Sequence, residues 1–380
     1  MKNLREIRGR LIAERPNQII RFSDRFYKVS SQSGHGMYNV TRTKAFAIGW
    51  ICDCPDFTHR EVKCKHIWAA EFSSAFRRSV ESQIVIHPLT SLSCRFCGSE
   101  EIVKDAKRHN QYGDIQRYLC KSCSKRFSVN IGFEKMKASP QIITSSMQLY
   151  FSGESLRNVQ KFLKLQGVNV SHVAVYKWIR KYVSLMESYL EQIKPQVSNT
   201  WRADELYLKV KGNMKYLYAL MDDETRFWIA QQISDTKYTA DITPMLRQGK
   251  DFTAKTPTTL ITDGAPNFNA AFRKAFWREN KALAIRHERH VRFQGDMNNQ
   301  KMERMNGEIR DREKIVRGVK KDDSPLLKGL KIYHNYVRPH MGLNGETPAG
   351  KAGIKVEGQD KWLTLIQNAQ MRLIVNSKNA

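Results

Sequence analysis

The sequence predicts a multidomain chain in which small zinc-binding modules and a helical helix-turn-helix domain precede an α/β core. Three observations carry that expectation. All seven cysteines fall in close pairs within the first third of the chain. Helix-start and helix-stop signals crowd between Ser139 and Val183. From Trp201 onward a strand of period-two pattern and two further apolar strands are followed by a helix, a strand and a second helix. With 380 residues and roughly 100 to 200 residues per domain, the expected divisions are 1–88 and 89–135 for the zinc modules, 136–198 for the helices, 199–354 for the α/β core and 355–380 for a C-terminal tail.

Charge narrows the partner. Lys and Arg number 64 against 37 Asp and Glu, a formal net charge of +27. That balance suits a polyanion, with nucleic acid the first candidate, and argues against a small neutral substrate. An anionic membrane is the competing partner, but no apolar run approaches the ~18 residues of a spanning helix. The stretch from Met1 to Glu6 lacks the apolar core of a signal sequence, so the expected location is intracellular.

An odd number of cysteines in close pairs points to metal, not disulfides. Cys52-x-Cys54 and Cys64-x-His66 supply three thiolates and one imidazole, a full tetrahedral zinc shell that leaves His59 out. Those residues resemble a SWIM zinc finger, which implies nucleic-acid or protein binding. Ahead of them, Phe26–Ser30 and Met37–Thr41 read as short strands. Cys94-x-x-Cys97 and Cys120-x-x-Cys123, with 22 residues between the pairs, read as a four-cysteine zinc ribbon. Lys107, Arg108, His109 and Tyr112 between the knuckles, and Lys125, Arg126 and Phe127 after them, suit phosphate contact and base stacking. A solvated charged surface is the plainer alternative.

The helical segment is punctuated by Ser139-Pro140 at the first start, Ser152-Gly153 at its end, Gly167 after the second helix and Ser171 as the third cap. That is helix-turn-helix spacing. Val175, Trp178, Ile179 and Tyr182 share one face of the third helix. His172, Tyr176, Lys177 and Arg180 are left outside as the candidate DNA readers, unless the segment is simply a three-helix bundle with a basic surface.

In the α/β core, Trp201–Val210, Lys215–Met221 and Phe227–Ala230 read as strands, with Asp222–Thr225 as turn chemistry. Helices follow at 239–248 and 267–277, with a strand at 258–263 between them. Asp204 shares a strand face with Leu206, Leu208 and Val210, whereas Glu205 shares the opposite face with Tyr207 and Lys209. A carboxylate on an apolar face is costly unless paired or bound to a cation. Asp263 ends a buried strand, where ligand sites form in open α/β sheets. Glu303 lies in a helix whose Met302, Met305 and Ile309 form an apolar stripe. Three carboxylates from separate elements, with no Cys or His, suit two hard divalent cations, Mg²⁺ or Mn²⁺.

These residues resemble the catalytic core of the DDE integrase and transposase superfamily, in particular prokaryotic insertion-sequence transposases with an RNase H-like fold. The resemblance rests on Trp201-x-x-Asp204-Glu-x-Tyr-x-Lys209-Val-Lys-Gly212, Tyr216-Leu-Tyr218 with Asp222, Thr262-Asp-Gly264, Asn298-Asn-x-x-x-Glu303-Arg304, and Tyr333 to Leu343 with Thr347-Pro348. It covers about 201–354. The gap of 39 residues between Asp263 and Glu303 exceeds the family's usual mid-thirties, which keeps Glu308 open as the third acid. The resemblance implies metal-dependent DNA strand cleavage and transfer without a covalent protein intermediate. Asp204 would bridge the metals, Asp263 and Glu303 would hold one each, and Arg304 and Arg310 would contact DNA. It further implies terminal inverted repeats and target DNA as partners, a homo-oligomeric synaptic complex and a nucleoid-associated cytoplasmic protein. The rivals are a zinc-finger transcription regulator, which has no use for three converging acids, and an RNase H-type nuclease, which needs neither zinc modules nor strand joining.

Overall fold

The computed structural model describes residues 4–14, 18–23, 25–34, 36–43, 46, 48–78, 84–89, 94, 96–110, 113–128, 131–263, 265–276, 286–289, 299–322 and 324–379. Tyr112, Gly264, Trp277 and Asn298, which enter the reading above, lie outside them. Among the described residues no helix is long and apolar enough to cross a membrane.

The first module is α1 (Leu4–Glu14), a four-stranded antiparallel sheet β1 (Ile19–Arg21), β2 (Phe26–Ser30), β3 (Met37–Arg42), β4 (Trp50–Cys52), then α2 (Pro55–Arg60) and α3 (Lys65–Arg78). Tyr27, Val29 and Val40, each 0% exposed, close its core on Cys64 and Ile67. A short strand β5 (Ile84–Ile86) leads out, and the ribbon follows as β6 (Ile102–Asn110), β7 (Gly113–Cys120) and β8 (Arg126–Ser128).

Three helices come next: α4 (Pro140–Ser152), α5 (Leu156–Leu165) and α6 (His172–Leu190). Ser139, Ser155 and Ser171 cap them by accepting from the N–H of Ile142, Asn158 and Ala174, each cap contributing about 1 kcal/mol. Gly167, at φ +78°, supplies the left-handed residue that ends α5. Val175, Trp178, Ile179 and Tyr182 are buried, as the sequence pattern requires.

The α/β core has a five-stranded sheet in the order β11-β10-β9-β12-β13. β9 (Thr200–Val210), β10 (Asn213–Asp222) and β11 (Trp228–Ser234) form an antiparallel meander. Lys211 and Gly212, at φ +51° and +91°, make the tight turn that fits the twist of the first hairpin. After α7 (Thr239–Thr253), β12 (Thr259–Thr262) runs parallel to β9, and after α8 (Pro266–Ala275), β13 (Arg286–Arg289) runs parallel to β12. Three antiparallel strands followed by parallel ones joined through helices is the RNase H-type arrangement. α9 (Gln300–Val316) packs along β9 and buries Met302, Met305 and Ile309, each burial stabilising by roughly 1.5–3 kcal/mol.

The remaining chain is α10 (Pro325–Ile332), a π-turn at Tyr333–Val337, α11 (Pro348–Lys351), β14 (Ile354–Val356) and α12 (Lys361–Asn379). Asn335 staples the π-turn to the sheet: its Oδ1 accepts from Trp228 N–H at 2.8 Å and its Nδ2 donates to Trp228 O at 3.0 Å. The end of the chain, expected as a tail, is structural. β14 pairs in parallel with β5, and Trp362 stacks on Phe151 of α4 and on Tyr333 at 5.4 and 6.2 Å. One buried cluster therefore spans α4–α6, the sheet and α12. The division expected near residue 198 separates motifs but not packing, because α6 packs on α10 and α12 as well as on α4 and α5.

Candidate active site and metal clusters

Strand register brings the acids together. β9 and β12 pair with Ile261 beside Arg202, so the same parallel register carries Asp263, just past β12, alongside Asp204. One oxygen each from Asp204, Glu205 and Asp263 lies within 4.8 Å of the others. Asp204 is 9% exposed. Burial first, then the charges of Asp263, Glu205 and Glu303, push its carboxyl up to about 7, against a hydrogen bond from the Glu205 N–H. Asn306 on α9 donates to Asp204 Oδ2 at 2.8 Å, while Oδ1 accepts from the Glu205 N–H at 3.0 Å.

Glu205 departs from the face-by-face reading of the strand. Although Tyr207 and Lys209 on its face are exposed, Glu205 turns into the acid cluster, with Lys237 Nζ at 2.8 Å from Oε1 and Oε2 buried without a hydrogen-bond partner. Glu303 is exposed one turn before Asn306 on α9; it lies outside the close set of three and acts on Asp204 through its field. Glu308 points elsewhere: Arg338 Nη1 holds its Oε2 at 2.5 Å and His334 Nδ1 stands 3.8 Å away. Five residues along a helix amount to about 500°, so Glu308 cannot share the Glu303 face. Crowded carboxylates, one of them buried and pushed to near-neutral titration, together with an orphaned buried oxygen, fit a hard divalent cation.

Beside the acids lies a network that the turn reading of Asp222–Thr225 does not anticipate. Asp222 does hold the turn, accepting from Thr225 and Ser198. Asp223, 1% exposed, is instead ion-paired with the buried Arg202 and with Lys301 Nζ on α9. It locks α9 to the sheet next to Asp204. Asn306 was within reach of sequence reasoning, since it falls three residues from Glu303; the partners of Asp223 were not, because 21 and 78 residues separate them.

The N-terminal donor sets assemble as their spacing requires. Ligand atoms of Cys52, Cys54, Cys64 and His66 lie within 4.8 Å of one another, as do those of Cys94, Cys97, Cys120 and Cys123. The Sγ pairs Cys94–Cys123 and Cys97–Cys120 are 3.5 and 3.6 Å apart. That is far beyond a disulfide and near the roughly 3.8 Å edge of a tetrahedron with zinc–sulfur bonds of about 2.3 Å. In the ribbon, Lys107, Arg108 and His109 are exposed, but Phe127 is 7% exposed against Tyr118 and Arg126 binds Asp105 at 2.9 Å. Phe127 is thus the ribbon's core and not a stacking face, packed with Ile102 and Tyr118 against Cys94 and Cys120. On α6, Lys177 and Arg180 are exposed and His172 and Tyr176 half-buried; Arg304 and Arg310 are exposed on α9.

Comparison with known proteins agrees with this geometry. Residues 198–340 match the family model described as a DDE domain. Over 147 residues the chain is 30% identical to the transposase for insertion sequence-like element IS431mec of Staphylococcus aureus, covering 37% of this chain and 63% of that protein. The transposase for insertion sequence element IS257 in transposon Tn4003, also from Staphylococcus aureus, matches with the same identity and coverage. An uncharacterized protein of Methanocaldococcus jannaschii is 28% identical over 142 residues. The chain thus spans 63% of the length of the IS431mec and IS257 relatives. Among solved structures, the HTLV-2 integrase catalytic core domain in complex with magnesium overlaps 42% of this chain and 97% of its own, at 15% identity and a TM-score of 0.31. Residues 198–340 thus match a DDE domain, and over that region the chain is similar to the IS431 and IS257 transposases.

Proposed function

We propose that the chain is a DNA transposase that binds the terminal repeats of an insertion sequence and catalyses divalent-metal-dependent strand cleavage and strand transfer. The observation that carries this is the convergence of Asp204 and Asp263 from adjacent strands, beneath a helix bearing Glu303, in a chain of net charge +27. Two Mg²⁺ or Mn²⁺ ions bound there would supply the charge that lowers the pKa of water or a 3′ hydroxyl and stabilises the leaving oxygen. Asp204, Asp263 and Glu303 would hold the ions, and Glu205 is close enough to Asp204 and Asp263 to join them. Asn306 fixes the Asp204 carboxylate, and the Asp223 network holds α9 in register.

Two structural zinc ions belong to Cys52, Cys54, Cys64 and His66, and to Cys94, Cys97, Cys120 and Cys123. His172, Tyr176, Lys177 and Arg180 read the terminal repeats from a helix-turn-helix formed by α5 and α6, and Arg304 and Arg310 contact DNA nearer the chemistry. The protein acts as a homo-oligomer on element ends and target DNA in a prokaryotic cytoplasm. The test is strand transfer of an end oligonucleotide with Mg²⁺. Asp204→Asn, Asp263→Asn and Glu303→Gln should each lower joining by at least about a hundredfold while end binding stays within about threefold, since each removes ligand charge but little volume. Near-wild-type joining by any of them removes that residue from the triad.

A further inference from the structure

The first module does more than sit beside the α/β core. Arg21 at the end of β1 bridges to Glu224 at 3.1 Å, and Phe22, 1% exposed, closes the wall of a cavity of about 260 Å³. Ser23, Arg202, Arg226, Lys301 and Arg304 line the same cavity. A second cavity of about 250 Å³ shares Ser23, Arg226 and Lys301 and adds Arg25. It in turn shares Arg21, Glu224 and Gly342 with a cleft of about 1050 Å³ that carries Arg42, Lys194 and Lys255. A continuous basic seam therefore runs between module and core and ends in a small, closely walled space beside α9.

Charge at that end is only partly balanced by the protein, through the field of Asp223 on Arg226. Arg202 and Lys301 are occupied by Asp223, and Glu308 on the wall is held by Arg338. Among the described residues the guanidinium groups of Arg226 and Arg304 have no hydrogen-bond or ion-pair partner, and each feels the other's charge: burial and then Arg304 hold Arg226 below its usual range. Yet Arg226 is fixed in place. Its backbone lies at φ +57°, and His334 Nε2 donates to its carbonyl at 3.0 Å. Its guanidinium occupies the space where any side chain at residue 342 would begin, with Nη2 only 2.3 Å from a Cβ built on Gly342. A half-buried guanidinium with an exposed one beside it favours an anion between them.

We propose that this cavity seats one backbone phosphate of the DNA strand undergoing transfer, clamped by Arg226 and Arg304 and closed by Ser23 of the first module. The proposal rests on the reading of the chain as a DNA strand-transfer enzyme. α9 presents Asn306 to Asp204, with Glu303 acting on it through its field, and presents Lys301 and Arg304 to the cavity. A seam of this length suits a polyanion, where an isolated phosphate ion would use only its end.

The test is competition binding of the zinc-loaded full chain, without Mg²⁺, to end DNA carrying a single neutral methylphosphonate at each of the positions flanking the cleavage site. Wild type should lose about tenfold at one position. Arg226→Gln should lose about tenfold on unmodified DNA and nothing further at that position, and Gly342→Ala should reproduce the loss by displacing the guanidinium while keeping its charge. If Arg226→Gln loses its zinc or its fold, Arg304→Gln, whose side chain is exposed, runs the same cycle. Losses that multiply at every position overturn the proposal. So does protection of wild type but not Arg226→Gln by millimolar inorganic phosphate when the methylphosphonate cycle shows no coupling, which would mark a free-anion site. Coupling without strand transfer by wild type would instead fail the proposed function and leave the phosphate seat standing.

Discussion

In the ribbon of β6–β8 the buried cluster consists of Cys94, Cys120 and Phe127. In the α/β core it runs from Trp201 through Leu220, Trp228 and Leu246 to Met302 and on into α12. Two of the three buried residues in the first region are candidate metal donors, and none in the second is. A lone three-stranded sheet with so few buried side chains cannot bury enough apolar surface to offset the entropy of ordering its chain, so a metal held by its four cysteines is expected to support its fold. The α/β core buries its own apolar faces, and its acid cluster is a burden that the fold carries.

Zinc removal should separate the regions most sharply, because structural zinc contributes an apparent ~10–16 kcal/mol. With a strong chelator, amides of β6–β8 and of β3–β4 should exchange freely by hydrogen–deuterium exchange while those of β9, β10 and β12 keep their protection. Simultaneous loss in the core would mean that the contrast is false and that the first module's seam supports the whole molecule.

Within the core, the cost of the acids can be read from pH. Asp204 titrates near 7 in the folded chain against 3.8 without the fold, so the folded state binds the extra proton between those values. Without divalent cation, stability should fall as pH rises from about 4 to about 7 and then level off. The loss is roughly 4 kcal/mol at about 1.4 per unit. Asp204→Asn should flatten that slope in denaturant titrations, and Mg²⁺ should stabilise the wild type more at pH 8 than at pH 5. A slope unchanged in Asp204→Asn would place the titration elsewhere.

The smallest effect concerns reading against holding. Lys177→Ala and Arg180→Ala should each lower the preference for element ends over random DNA by about 1–3 kcal/mol, whereas Arg310→Ala should weaken both alike and reduce the salt dependence. Competition binding at fixed salt measures both. If residues 177 and 180 prove neutral, α6 is a packing helix with a basic surface.

The local chemistry of this chain was legible in the sequence wherever neighbours in sequence are neighbours in space. The Cys-x-Cys and Cys-x-x-Cys pairs, the capping serines at 139 and 171, and the alternation along β9 state their geometry within a few residues, because side-chain direction has a fixed period in strands and helices. Asp204 on an apolar face announced a cation or partner in the same way. The limits of the helices were less visible: α7 continues to Thr253, five residues beyond the expected end, because tertiary burial of Gly249 against Leu220 extends it.

What the sequence by itself determined is therefore the set of donors and the order of the modules. Only the tertiary structure decided which acids meet. Parallel register between β9 and β12 sets Asp263 beside Asp204 and draws Glu205 in, and Arg338 pairs with Glu308. It also decided that the C-terminal helix completes the core under α4 and α6, and that Ser23 and Arg226, 203 residues apart, wall one cavity. Such pairings depend on long-range closure, whose partners no local period encodes, and on burial, which turns an ordinary surface charge into one that must find a counter-ion.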